Sequence, residues 1–356
     1  MLIRISSHFY RFVTRLRGFG PSRKGRPLLI GVRAYIRVGE RDSRPDTLRK
    51  ALAKRAVCLS YVPCFVPLAR VRLAMVPSSI ERGYNPTPMA HLSVILSIFD
   101  QPQAFTYSLL GYQRQTFRDF EVVVADDGSD EETRAIVEEF RRTSGVPTKH
   151  VWQENRGYRR AKIANEAVRA SEGKVLLLSD GDCIPHRDFV RVHAEGCVAR
   201  SFCTGGYVRL SPEYCPTLTR ESVLSGAFEA QMTPEDRWRF RITHWKSRWG
   251  VLWGNMRKPK VYGCNISVDR EVYYAVNGYD ENFDGFGKED SDLRNRFRRY
   301  GAKPVSLWGK AWVYHVDDVI DPKIRRRRVP RSDGHPYYER PAVPVRCLNG
   351  IVKDGS

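Results

Sequence analysis

The chain has 356 residues, 42% of them hydrophobic, enough for one large α/β domain or two smaller ones with a real core. Its formal charge of +20 points to nucleic acid until the charge is located: residues 1–88 hold 18 Lys+Arg against 4 Asp+Glu, and residues 89–356 hold 42 against 36. The body is therefore no polycation, and DNA or RNA binding through the basic N-terminal segment and the arginine run at 325–328 stands only as the alternative reading.

In chain order, residues 1–88 scatter arginines through apolar stretches without a period, which predicts a poorly structured basic extension. It is either a segment outside the working protein or a tether to an anionic membrane surface. No apolar run reaches the roughly 18 residues of a membrane span, since Arg70 and Arg72 interrupt the nearest, 56–77. The N-terminus lacks a clean apolar stretch and a small-residue cleavage site, and the eight cysteines show no CxxC pair or zinc-ligand spacing. A cytoplasmic protein is expected, with peripheral contact at the inner face of the cytoplasmic membrane.

Residues 89–322 read as the catalytic domain. β-rich runs at 92–98, 120–125, 149–152 and 174–178 alternate with helical patterns at 105–116, 131–142 and 159–170, the signature of a Rossmann-like α/β fold with a mostly parallel sheet flanked by helices. Ser129 or Asp130 is placed to cap the second helix, with Glu131 and Glu132 in its first turn. Residues 211–258, with Trp238, Trp245, Trp249 and Trp253, show little regular alternation and read either as core filling or as a lid or acceptor platform. A strand at 261–268, a helix at 290–300 closed by Gly301, and strands at 303–306 and 311–315 follow. Residues 323–356 are predicted to be a mobile, basic, proline-rich tail.

Ligands of open α/β sheets bind beyond the carboxyl ends of the strands. Two predicted strands end in carboxylates, at Asp126-Asp127-Gly128-Ser129 and at Asp180-Gly181-Asp182. Two acids one residue apart can share a hard cation such as Mg²⁺ or Mn²⁺, and the first cluster reads equally as a turn and cap. A third cluster, Glu289-Asp290-Ser291-Asp292, precedes a helix, where carboxylates complement the dipole. Beside Phe283 and Phe286, one of them could instead be held near the pKa of a general base. Arg156, Arg160 and Lys162 suit phosphate oxygens, or else form a solvated helix face.

Taken in order, these pieces resemble family 2 of the inverting glycosyltransferases, which has the GT-A fold. The matching segments are SVILSIF at 93–99, ADDGS at 125–129, NRGYRRAK at 155–162 with Asn165, SDGD at 179–182 and GKEDSDL at 287–293. GCNISV at 263–268 followed by NGYDE at 277–281 looks like the C-terminal part of metal-dependent galactosyl- and N-acetylgalactosaminyltransferases. The resemblance implies a nucleotide-sugar donor, with Asp126 or Asp127 at the uracil or ribose and Arg156, Arg160 and Lys162 near the base or diphosphate. It implies Asp180 at the ribose, Asp182 and His315 on Mn²⁺ or Mg²⁺, Asp290 as the base and Glu289 at the acceptor. The implied acceptor is a glycan or lipid-linked glycan, with a bacterial surface polysaccharide as the preferred class. A nucleotidyltransferase would share the sheet and the acids, but it needs a Gly-rich basic loop after the first strand, where residues 98–102 read Ile-Phe-Asp-Gln-Pro.

Overall fold

The computed structural model of the chain describes residues 2–5, 8–14, 34–37, 92–283, 285, 287–316 and 343–353. The chain divides into two units, 1–80 and 81–356. In the first, β1 (Leu2–Ile5), β2 (His8–Thr14) and β3 (Ala34–Arg37) make an antiparallel sheet in that order. The rest of 1–88, and with it the expected extension, lies outside the described residues, as does the 325–328 run on which the nucleic-acid alternative leans.

The second unit opens with β4 (Leu92–Ile98), α1 (Pro102–Gln113), β5 (Phe120–Asp126), α2 (Glu131–Thr143), β6 (Thr148–Trp152), α3 (Arg160–Ala170) and β7 (Val175–Asp180). Then come β8 (Cys183–Pro185), α4 (Phe189–Gly196), β9 (Ser201–Thr204), β10 (Gly206–Arg209), α5 (Arg220–Ser225) and α6 (Pro234–Leu252). The last elements are β11 (Ile266–Asp269), α7 (Arg270–Ala275), α8 (Glu289–Tyr300), β12 (Lys303–Ser306) and β13 (Trp312–His315). Seven strands form the main sheet in the order β12-β9-β11-β7-β4-β5-β6, parallel except where β11 runs against β7 and β9. A small second sheet, β10-β13-β8, stands beside it.

Strand side chains alternate between two faces, and the sequence uses both. Leu92, Val94, Leu96 and Ile98 pack with Phe105, Leu109, Val137 and Phe140 of α1 and α2, while Ile95, Val123 and Ala125 pack with Ile163, Ala167, Tyr273 and Phe297 from α3, α7 and α8. All seven residues of β5 are buried, as a central parallel strand covered on both faces requires. Each fully buried valine there contributes about 1.5–3 kcal/mol. Register places Ser97 opposite Asp180 and Ile98 opposite Asp126, so the carboxylate-bearing ends of β5 and β7 reach one edge of the sheet together.

Several expectations are corrected. The cap of α2 is Asp130, which accepts from Thr133 N at 3.4 Å, whereas Ser129 Oγ accepts from Asp100 N at 2.8 Å. The strand expected at 261–268 shortens to Ile266–Asp269, because the buried Asn265 turns its amide to Gly206 O and Ala311 O at 2.8 and 3.2 Å. The 211–258 segment is not irregular: Thr233 and Asp236 form a capping box, Pro234 takes the first turn, and α6 runs for 19 residues. Its tryptophans do not fill a core, since Phe240 and Ser247 face inward while Trp238, Trp245 and Trp249 are 63, 55 and 51% exposed. Within the expected mobile tail, residues 343–353 are anchored: Cys347 and Ile351 are buried, and Asn277 Nδ2 donates to Cys347 O and Val352 O, both at 2.8 Å. Among the described residues no helix is long and apolar enough to cross a membrane, and Cys183, Cys197, Cys203, Cys215, Cys264 and Cys347 are free thiols.

Candidate active site

β13 pairs antiparallel with β8 in the register His315↔Cys183, and Val316 N donates to Asp182 O at 2.9 Å. This pairing carries His315 to the Asp180-Gly181-Asp182 turn, with Nε2 3.3 Å from Asp182 Oδ2. The Asp182 charge pushes His315 up to about 9 against its burial. In return, burial would raise Asp182, but the facing imidazole outweighs it and holds the carboxyl below its usual range. Cys183 Sγ donates to Asp182 Oδ1 at 3.2 Å, and one ligand atom from each of Asp182, Cys183 and His315 falls within 4.8 Å of the others.

The second half of the site is built around Arg160, at the start of α3. Its nearly buried guanidinium sets Nη2 at 2.7 Å from Asp180 Oδ1 and Nη1 at 3.2 Å from Asp290 Oδ1 and 3.7 Å from Glu289 Oε1. A buried cation of this kind is tolerated only with such partners. Tyr279 OH donates to Asp290 Oδ1 at 2.7 Å and receives Arg160 Nη1 at 3.3 Å. Three acids crowd one arginine, so burial, with Asp290 adding to it, pushes Glu289 up to about 7 despite the pull of Arg160. Glu289 Oε2 is buried without a hydrogen-bond partner. Burial likewise raises Asp180, with Asp182 and Asp290 reinforcing it against Arg160.

Local backbone supplies the space. Gly287 and Lys288 have φ of 103° and 79°, and this left-handed pair delivers Glu289 and Asp290 into the first turn of α8. Gly263 faces the Arg160–Asp290 pair so closely that a Cβ would sit 2.5 Å from Asp290 Oδ2 and 2.8 Å from Arg160 Nη2. Asn165 clamps the Tyr279 turn, donating to Tyr279 O and accepting from Tyr279 N, each at 2.9 Å.

Asp180, Asp182, His315, Arg160, Glu289 and Asp290 thus converge. The other candidates do not join them. Asp126 accepts from Gly128 N and Ser129 N at 3.2 and 2.8 Å and meets His150 Nε2 at 2.9 Å, so its carboxylate holds the turn. Asp127 accepts from Gln153 Nε2 at 2.6 Å and Arg159 N at 2.7 Å. Arg156 is exposed and pairs with Glu154. Half-buried Lys162 lies two positions past Arg160 on α3, a spacing that turns it to another face. Asp292 is buried and paired with the fully buried Arg296 at 2.7 Å, not a solvated cap. Phe283 is buried; Phe286 lies outside the described residues. Tyr279 and Gly263 were quoted in the motifs without a role, because nothing in the linear order says that 263 and 279 meet 160 and 290.

Residues 93–208 match the family described as Glycosyl transferase family 2, and residues 252–317 match the one described as N-terminal domain of galactosyltransferase. The match places residues 93–208 in glycosyl transferase family 2. The sheet is mostly parallel and flanked by helices, as the resemblance in its motifs implies. Validoxylamine A glucosyltransferase of Streptomyces hygroscopicus subsp. jinggangensis is 28% identical over 240 residues, covering 62% of this chain and 54% of that protein. Chondroitin synthase of Escherichia coli is 27% identical over 243 residues, 64% of this chain and 34% of that protein. The chain thus spans about half or less of the length of these relatives. A mannosyltransferase structure from Pyrobaculum calidifontis, in complex with GDP-Man and Mn²⁺, aligns with a TM-score of 0.45 at 18% identity over 65% of this chain and 58% of that one.

Proposed function

We propose that this glycosyltransferase moves a sugar from a UDP-sugar to a hydroxyl of a glycan or lipid-linked glycan in a single displacement that inverts the anomeric carbon. The observation that carries the reading is the convergence of Asp180, Asp182, His315, Arg160, Glu289 and Asp290 at the carboxyl edge of the sheet, where α/β sheets hold their ligands. Bacterial surface-polysaccharide synthesis at the inner face of the cytoplasmic membrane is the proposed setting.

Asp182 and His315 fit a divalent cation: a carboxylate oxygen and a ring nitrogen face each other at 3.3 Å, and the buried Nδ1 of His315 has no hydrogen-bond partner. This oxygen and nitrogen set suits Mn²⁺ or Mg²⁺. When bound, the cation neutralises the departing nucleotide diphosphate. Asp180 faces the ribose. Arg160 keeps the three carboxylates from repelling one another and so holds Asp290 in place. Asp290 presents Oδ1 to Tyr279 and Arg160 and leaves Oδ2 to take the proton of the acceptor hydroxyl. Glu289, whose Oε2 is unsatisfied, contacts the acceptor. With their carboxylates engaged, Asp126 and Asp127 shape the wall at the uracil or ribose.

The test is incubation with a panel of UDP-sugars and Mn²⁺, following nucleotide release with and without acceptor glycans. Release that requires the metal and stops with EDTA supports the reading. Release unaffected by EDTA removes the metal role, and no release from any UDP-sugar removes the donor.

A further inference from the structure

Helix α6 turns its apolar side the wrong way for a core element. At about 100° per residue, Trp238, Trp245 and Trp249 fall within an arc of roughly 40° at the centre of the outward face, opposite the buried Phe240 and Ser247. Leu252 and Trp253, 71 and 68% exposed, prolong the stripe. Exposed Arg241 and Arg248 flank it on one side and Lys246 on the other, and residues 237–260 contain eight Lys/Arg and no Asp or Glu. Beside the stripe, Trp245, Trp249, Leu252, Pro259 and Pro304 line a cavity of about 320 Å³.

We propose that α6 is a membrane-docking helix that seats its tryptophan stripe at the headgroup level of an anionic bilayer. Tryptophan prefers that boundary, and cations on both flanks complement anionic headgroups. The same flanks oppose pairing with a second copy of this chain. A sugar-binding surface would need several amide or carboxylate partners for hydroxyls, and beside the tryptophans the helix offers only Glu235, in its first turn. The helix also starts next to the site: Arg239 Nη2 donates to Tyr207 O at 2.9 Å, and the Tyr207 ring lies 6.0 Å from that of His315. Docking would therefore hold the site close to an acceptor carried in the membrane. That consequence, though not the docking, rests on the proposed transfer.

The test is sedimentation of the full chain with phosphatidylcholine vesicles, with and without phosphatidylglycerol, with UDP-sugar hydrolysis measured separately on the wild-type preparation. Binding to the anionic vesicles only, weakened by salt and accompanied by a blue shift of tryptophan emission, is expected. The double variant Trp245→Ser/Trp249→Ser should lose about tenfold or more in partitioning, because binding scales with buried apolar area. Lys246→Glu/Arg248→Glu should do the same and serves should the first variant fail to fold by circular dichroism. Equal binding to neutral vesicles, or wild-type binding by a folded variant, overturns the proposal, the latter by moving the contact elsewhere in the chain. Tryptophan quenching by soluble glycans without vesicle binding also overturns it, in favour of an acceptor platform.

Discussion

Replacing Asp290 by Asn tests the chemistry with little disturbance to its frame. The amide oxygen can keep the Oδ1 position and accept from Tyr279 OH and Arg160 Nη1, now at 2.7 and 3.2 Å, and Arg160 retains Asp180 at 2.7 Å. The Oδ2 position becomes an NH₂ that cannot take a proton. A positioned general base is worth about 10²–10⁴-fold, roughly 3–5 kcal/mol of barrier, so turnover should fall by that factor. Donor affinity and melting temperature should stay near wild type. Initial rates under saturating donor, nucleotide titration calorimetry and the anomeric configuration of the product by NMR together make the assay. A variant within a few-fold of wild type, or a product with retained configuration, would refute the assignment of the base and the single displacement with it.

Asp182→Ala should abolish metal-dependent transfer and His315→Ala should raise the Mn²⁺ concentration for half-maximal rate; wild-type metal curves in both would sink the cation site. Because Glu289 is raised from 4.5 to about 7 in the fold, its contribution to stability is fully present below 4.5 and is lost as pH rises through about 7. Glu289→Gln should therefore flatten the decline of melting temperature across that window, and an unchanged profile would mean that the carboxyl is not held this way. Asp292→Asn should lower stability by about 3 kcal/mol, since it strips the carboxylate from a fully buried arginine, and denaturant midpoints near wild type would show that the pair is not structural.

The parallel half of the fold was legible because β4, β5 and β7 are largely apolar runs and the last two end in acids, a pattern fixed by burial on both faces and ligand binding at the carboxyl edge. What the sequence hid depends on direction or on contacts distant along the chain. α6 was missed because its tryptophans follow helical spacing on the solvent side, while its inward face offers only Phe240 and Ser247 as buried residues. Among the acids, Asp126 and Asp180 look alike as strand-end residues. They differ because the first is followed by Gly128 and Ser129, whose N–H groups capture its carboxylate, whereas the second faces Arg160 from another element. The anchoring of residues 343–353 turns on Asn277, 70 positions before Cys347, and no local pattern announces it.

Gly263 carries a consequence for how the protein tolerates change. Its backbone is not in the left-handed region, and the position is only half-buried, so by ordinary rules it should accept a small side chain without harm to folding. Yet the first carbon of any side chain would fall on Asp290 Oδ2, the proton acceptor itself, and on Arg160 Nη2, which holds Asp180. In a saturation library sorted for folded protein, substitutions at 263 should pass; sorted for sugar transfer, they should vanish. Selection at such a position acts on a volume kept empty.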